Sequence, residues 1–131
     1  GEIIFTSGGT EADNTIIRSA VETYAIRHII SSPIEHHAVT HTLEFLRSQG
    51  LVQMHAVNLS PAGDVDLNHL EELLKANPQA LVSLMHANNE IGNLLDMERV
   101  GELCEKYNAY FHSDTVQTVG HYRHDMRKLK V

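Results

Sequence analysis

The sequence has no tryptophan, one cysteine and three prolines, and only 5% of its 131 residues are aromatic. A core built from it must be mainly aliphatic. The single cysteine, Cys104, excludes an internal disulfide and any thiolate-rich zinc site, and it fits a reducing compartment. Basic residues are also scarce. Ten Lys and Arg stand against seventeen Asp and Glu, a formal net charge of −7 with His neutral. That balance argues against nonspecific nucleic-acid or anionic-membrane binding, because both need a basic face. No apolar run approaches the ~20 residues of a membrane helix. The segment Gly1-Glu2-Ile3-Ile4-Phe5 lacks the basic region that opens a signal peptide. No internal repeat, low-complexity tract or linker interrupts the chain. The reading is a soluble, acidic protein with room for one domain or part of one.

What is present is an alternation of strands and helices. Ile3–Thr6 reads as a first strand ending at Ser7-Gly8-Gly9-Thr10. Thr10 is a good helix N-cap, with Glu11 and Asp13 in the first turn where the dipole favours acid. Ile16, Ile17, Ala20, Val21, Tyr24 and Ala25 then mark a helix face. His28–Ser32 reads as a second strand. Val39, Leu43 and Leu46 mark the next helix, and Gly50 fits its C-terminal stop. Leu51–Val57 alternates as a third strand, and Pro61-Ala62-Gly63-Asp64 is a turn. Asp66 caps a helix through Leu67, Leu70, Leu73 and Leu74 that ends before Pro78. Ala80–Met85 is a continuous apolar run, the mark of a strand buried on both faces. Asp96 caps a helix with Met97, Val100, Leu103, Cys104 and Tyr107 on its buried stripe. Ala109–His112 reads as a fifth strand. The polar, basic tail from His121 to Val131 reads as a chain cut before a further strand. This order implies an α/β layered fold with a mostly parallel sheet.

In such folds ligands bind at the carboxyl ends of the strands. The polar clusters Ser7–Thr10, Glu35-His36-His37, His86–Glu90, and Asp114 with Gln117 all follow apolar runs, on one sheet edge. Each has an ordinary structural reading: a Gly-Gly-Thr turn, loop histidines, an Asn pair suited to left-handed backbone, an Asp cap. Ten histidines raise the question of a metal. His37 and His41 are spaced i, i+4 and His121 and His124 i, i+3, but no spacing dictates a third ligand, so no metal site is assigned. Cys104 sits on a helix stripe as a core residue.

Four of these segments, taken in order, resemble the cysteine desulfurases, pyridoxal-phosphate (PLP) enzymes of the class V aminotransferase superfamily. They are Phe5-Thr6-Ser7-Gly8-Gly9-Thr10-Glu11-Ala12-Asp13-Asn14, Glu35-His36, Met85-His86-Ala87-Asn88-Asn89-Glu90-Ile91-Gly92, and His112-Ser113-Asp114-Thr115-Val116-Gln117-Thr118-Val119-Gly120. The resemblance implies a three-layer α/β/α fold, the large domain of PLP-dependent transferases. Residues 1–131 would be part of that domain and supply about five of its seven strands, with Ile3–Phe5 left without its family neighbour. It implies that Gly9 and Thr10 hold the cofactor phosphate, that His36 stacks on the pyridine ring and assists proton transfer, and that Asp114 pairs with the pyridine nitrogen. Asn89 and Gln117 would sit by the phenolic oxygen. The implied catalytic residues are His36 and Asp114. The implied reaction converts L-cysteine to L-alanine and leaves sulfur as an enzyme persulfide for iron–sulfur or thio-cofactor assembly. Implied partners are a sulfur acceptor such as an iron–sulfur scaffold and a second copy of the chain, in the cytoplasm. No membrane is implied, and no nucleic acid beyond a tRNA-thiolation pathway. The family's Schiff-base lysine follows Ser-Gly-His-Lys, and no such segment precedes Lys75, Lys106, Lys128 or Lys130. The mobile cysteine and the small C-terminal domain have no counterpart either, so this chain alone is expected to be inactive. The alternatives are a noncatalytic α/β binding or scaffold module and another class V enzyme such as a selenocysteine lyase.

Overall fold

The computed structural model describes residues 3–126 and 128–131; Gly1, Glu2 and Arg127 lie outside them. Four short strands are each followed or preceded by a helix: α1 (Gly9–Thr23), β1 (His28–Ser31), α2 (His37–Ser48), β2 (Gln53–Ala56), α3 (Leu67–Ala76), β3 (Leu81–Ser83), α4 (Met97–Lys106) and β4 (Tyr110–His112). All pairings are parallel, in the order β2-β1-β3-β4. The chain thus steps from β1 outward to β2 and returns to the opposite side of β1 with β3. The gap between β1 and β3 is the topological switch point, where ligands bind in open α/β sheets.

Alternation along the strands sorts the core into two layers. Ile29 and Leu81 are in register and pack with Ile17, Val21, Val39, Leu43 and Leu46 of α1 and α2. Ile30 and Val82 face the other way, onto Leu70, Leu74, Val100, Leu103 and Cys104 of α3 and α4. The result is a three-layer α/β/α fold. The central strand is buried throughout: Leu81, Val82 and Ser83 are 2%, 0% and 0% exposed.

The helix ends follow from capping chemistry. Asp66 accepts from the amides of Asn68 and His69 at 3.0 and 3.1 Å, and Asp96 from Arg99 at 3.0 Å. Gly50, with φ +67°, closes α2 in the left-handed conformation. Gly101 of α4 has a packing role. A Cβ there would overlap the carbonyl oxygen of Leu129, whose side chain is buried against the domain.

Three sequence expectations change. Ile3–Thr6 forms no strand. Ile3, Ile4 and Phe5 are 80%, 83% and 95% exposed, so the sheet has four strands, not five. An apolar run becomes a strand only where a neighbouring backbone takes up its N–H and C=O groups, and none of the described residues pairs with this one. Thr10 is not the N-cap of α1. The helix begins at Gly9, Gly8 takes the cap position, and no side chain caps it. The buried stripe of α1 runs through Asp13, Ile17 and Val21, while Ile16 and Tyr24 are 50% and 55% exposed. Tyr24 lies just past the helix and stacks on Tyr110, ring centroids 4.5 Å apart.

These placements predict a graded response in urea denaturation of the chain. Leu74→Ala should cost about 2–5 kcal/mol by leaving a core cavity. Asp66→Ala should cost about 1 kcal/mol. Ile4→Ser should change stability by less than about 0.5 kcal/mol. A loss for Ile4→Ser as large as that for Leu74→Ala would mean that Ile3–Thr6 is packed in the sheet after all.

Candidate active site

A cavity of about 200 Å³ opens at the carboxyl ends of the strands, lined by Gly9, Thr10, Asp13, His36, Met85, Asn89, Asp114, Val116 and Gln117. The six residues singled out from the sequence line it together. Asp13, Met85 and Val116 lie beside them without having been assigned to the site. Four segments place the six: α1 brings Gly9 and Thr10, the β1–α2 turn His36, the loop after β3 Asn89, and the turn after β4 Asp114 and Gln117.

The wall formed by α1 is electropositive. The first amides of a helix have no intrahelical acceptor, and here no side chain caps them. Ser7 donates its backbone N–H to Glu11 Oε2 at 2.6 Å, which holds the entry turn; the Ser7 side chain and then this amide draw the Glu11 carboxyl below its usual range. Gly9 permits close approach of the Asp114–Gln117 turn, since a Cβ would come within 2.7 Å of a Val116 methyl. Asn14 fixes α1 to α2: its amide donates to the carbonyls of Thr10 and Ala38, and its oxygen accepts from the Thr42 hydroxyl at 2.6 Å. That link sets Thr10 against His36. His36 is itself the N-cap of α2. Its Nδ1 accepts from the Ala38 amide at 3.1 Å, so the neutral ring carries its proton on Nε2.

Acidic groups lie close by, one of them, Asp13, on α1 itself. Asp114 Oδ1 accepts from the Val116 amide at 2.9 Å, and its backbone carbonyl accepts from the His86 amide at 2.9 Å. Asp13 is 5% exposed and lies 3.5 Å from Nε2 of His112, whose Nδ1 is 3.0 Å from the fully buried Ser83 hydroxyl. The sequence showed Asp13 only as a first-turn acid. Its contact with His112 joins residues 99 apart along the chain, and no local spacing signals that. Glu35, 8% exposed, accepts from the Ser32 hydroxyl at 2.6 Å and the Met85 amide at 2.8 Å. Burial pushes its carboxyl up to about 7. The bonds from Ser32 and Met85 oppose that rise, and the charges of Asp114 and Asp13 add to it.

Other candidates fall elsewhere. Asn88 does not take up left-handed backbone; Gly92 does, with φ +76°. Asn88 instead caps its own loop, its Oδ1 accepting from the amides of Glu90 and Ile91. His37 and His41 stack with centroids 5.2 Å apart. His124 pairs with His86 at 3.1 Å and not with His121, and burial followed by the charge of His124 lowers the His86 pKa. Among the described residues no three metal-ligating side chains converge. Cys104 is buried between α3 and α4, its thiol pushed up to about 12 by desolvation. Lys106 and Lys130 are engaged with Glu71 and Glu105, and no lysine lines the cavity. No helix among the described residues is long and apolar enough to cross a membrane.

A helix N-terminus with free amides favours an anion, and here a carboxylate and an imidazole share its cavity. The family model described as Aminotransferase class-V matches residues 1–131, and the chain belongs to that family. A cysteine desulfurase IscS of Clostridium botulinum is 40% identical over 136 residues, covering 99% of this chain and 33% of that protein. The IscS of Edwardsiella ictaluri is 43% identical over 132 residues, covering 99% and 32%. Among solved structures, a NifS-like protein superposes with a TM-score of 0.87 at 37% identity, over 96% of this chain and 35% of that one. An apo cysteine desulfurase from Thermococcus onnurineus superposes at 0.88 with 25% identity, over 99% and 32%. The chain therefore spans about a third of the length of the curated relatives it matches.

The raised Glu35 pKa predicts a pH dependence. The folded chain keeps a proton that the unfolded chain releases near 4.5, so this stabilisation is full below 4.5 and is lost as pH rises through about 7. The loss should total about 3 kcal/mol. Subtracting the unfolding free energy of Glu35→Gln from that of the unsubstituted chain at each pH isolates the effect. A difference that stays flat from pH 4 to 8 would contradict it.

Proposed function

We propose that this chain is the cofactor-binding portion of a PLP-dependent cysteine desulfurase, which converts L-cysteine to L-alanine and passes the sulfur on as an enzyme persulfide. The observation that carries the reading is the cavity in which Asp114 shares walls with Thr10 at the uncapped start of α1. The names of the similar proteins support cysteine as the substrate.

The residues present fit the cofactor. Free amides at the start of α1 and the Thr10 hydroxyl, which bonds to no other described residue, suit a phosphate dianion. When bound, PLP supplies an electron sink for the bond that breaks in the substrate. Asp114 would hold a proton on the ring nitrogen through a charge-assisted hydrogen bond and so keep that sink available. His36 would flank the ring, with Nε2 to hold or move a proton. Asn89 and Gln117 would orient the ring by its phenolic oxygen. Cys104 is unsuited to carry sulfur, because a buried thiol shifted to about 12 is neither ionised nor accessible. We assign the anchoring lysine, the mobile sulfur-carrying cysteine and the small domain to the two-thirds of the relatives' length that this chain does not cover. The full protein would act as a cytoplasmic homodimer that delivers sulfur to an acceptor such as an iron–sulfur scaffold.

Two measurements test this. In the protein encoded by the complete open reading frame, Asp114→Asn should lower kcat by about 10²-fold or more. PLP affinity should change far less, because the phosphate anchor is intact. Equal losses in both would remove the assigned role. The 131-residue chain alone should form no alanine from cysteine and PLP above a protein-free control, and formation above that control would overturn the division of labour.

A further inference from the structure

The backbone ladder between β1 and β3 ends at Ser31 and Ser83, just below the cavity. Beyond that pair, no backbone–backbone hydrogen bond joins residues 32–36 to residues 84–89 among the described residues. Two side chains take its place, one from each strand end. Glu35, after β1, accepts the Met85 amide of the β3 loop at 2.8 Å. Asn88, after β3, donates to the Ile34 carbonyl of the β1 loop at 2.7 Å. The exchange is reciprocal, as in a parallel ladder, but it is made by side chains. Both groups are otherwise engaged: Ser32 donates to the second Glu35 oxygen, and the Asn88 oxygen accepts two loop amides. The next residue after each is a cavity residue, His36 after Glu35 and Asn89 after Asn88.

We propose that Glu35 and Asn88 are a pair of positioning residues, a reciprocal clasp that extends the β1–β3 pairing past its last backbone bond and so fixes where His36 and Asn89 stand in the cavity. This rests on the cofactor reading above. The clasp satisfies buried backbone groups at the switch point while leaving the strands' carboxyl ends open for a ligand. A continued backbone ladder would close that opening. Each clasp residue touches the other's loop, so removing either one frees both loops.

The test uses the apoprotein encoded by the complete open reading frame. PLP affinity is measured by absorbance titration, and the His36 ring and Asn89 amide signals are followed by NMR without PLP. Glu35→Ala and Asn88→Ala should each weaken PLP binding about tenfold. The double variant should be little worse than either single one, because the two side chains hold the same pair of loops. Glu35→Gln should restore binding: its carbonyl accepts the Met85 amide and its amide donates to the Ser32 hydroxyl oxygen. In the apoprotein both alanine variants should shift the His36 and Asn89 signals, and Glu35→Gln should return them. A purely structural role would lower the Tm and leave affinity and these signals unchanged in folded protein. That result would overturn the proposal, as would independent losses that multiply in the double variant. If Glu35→Ala does not fold, Asn88→Ala and Ser32→Ala carry the same comparison. If the unsubstituted protein binds no PLP, the cofactor reading fails, and the NMR signals alone decide the clasp.

Discussion

The pairing of β1 with β3 is the contact on which the rest of the molecule depends. These two strands are buried on both faces, and their alternating residues hold the two helical layers apart. Ile29 and Leu81 define the surface that receives α1 and α2; Ile30 and Val82 define the one that receives α3 and α4. A one-residue slip in this register would turn each set toward the wrong layer. The same pairing decides where the cavity lies, because the chain leaves β1 and β3 in opposite directions and the two loops must part at their carboxyl ends. Parting strands leave backbone groups without partners, and Glu35 and Asn88 answer two of them beside the cavity.

Electrostatics gives the site its direction. The uncapped start of α1 forms one wall, and three carboxyl groups, Asp13, Glu35 and Asp114, gather in or beneath the cavity. Acids this close cannot all ionise cheaply in a desolvated setting. The arrangement resolves the conflict by giving each a different environment. Asp13 has His112, Asp114 has a backbone amide, and Glu35, buried against Ser32 and Met85, takes the raised pKa. Of the three, Asp13 and Asp114 line the cavity, and Glu35 lies at the switch point.

Local chemistry made much of this legible in advance. Asp66 and Asp96 announced their helices because an Asp before an amphipathic run satisfies free amides whatever lies around it. The apolar run Ala80–Met85 announced a doubly buried strand. Four motifs in fixed order carried the likeness to the desulfurases and the identities of the cavity residues. Ile3–Thr6 misled for the opposite reason: strand formation needs a partner, and no property of four residues reports whether one is present. Thr10 misled as well, because an uncapped helix start looks, in sequence, like one closed by a cap.

What the sequence by itself determined was the alternation of elements, their caps, the apolar faces and the residue types at the strand ends, all set by interactions within a few residues of one another. Only the tertiary structure decided which of those residues meet. Asp13 reaches His112, Glu35 reaches Met85 and Asn88 reaches Ile34 across 50 to 99 residues of chain. The order β2-β1-β3-β4 brings those distant segments together, and the cost of leaving a buried polar group unpaired selects which atoms join.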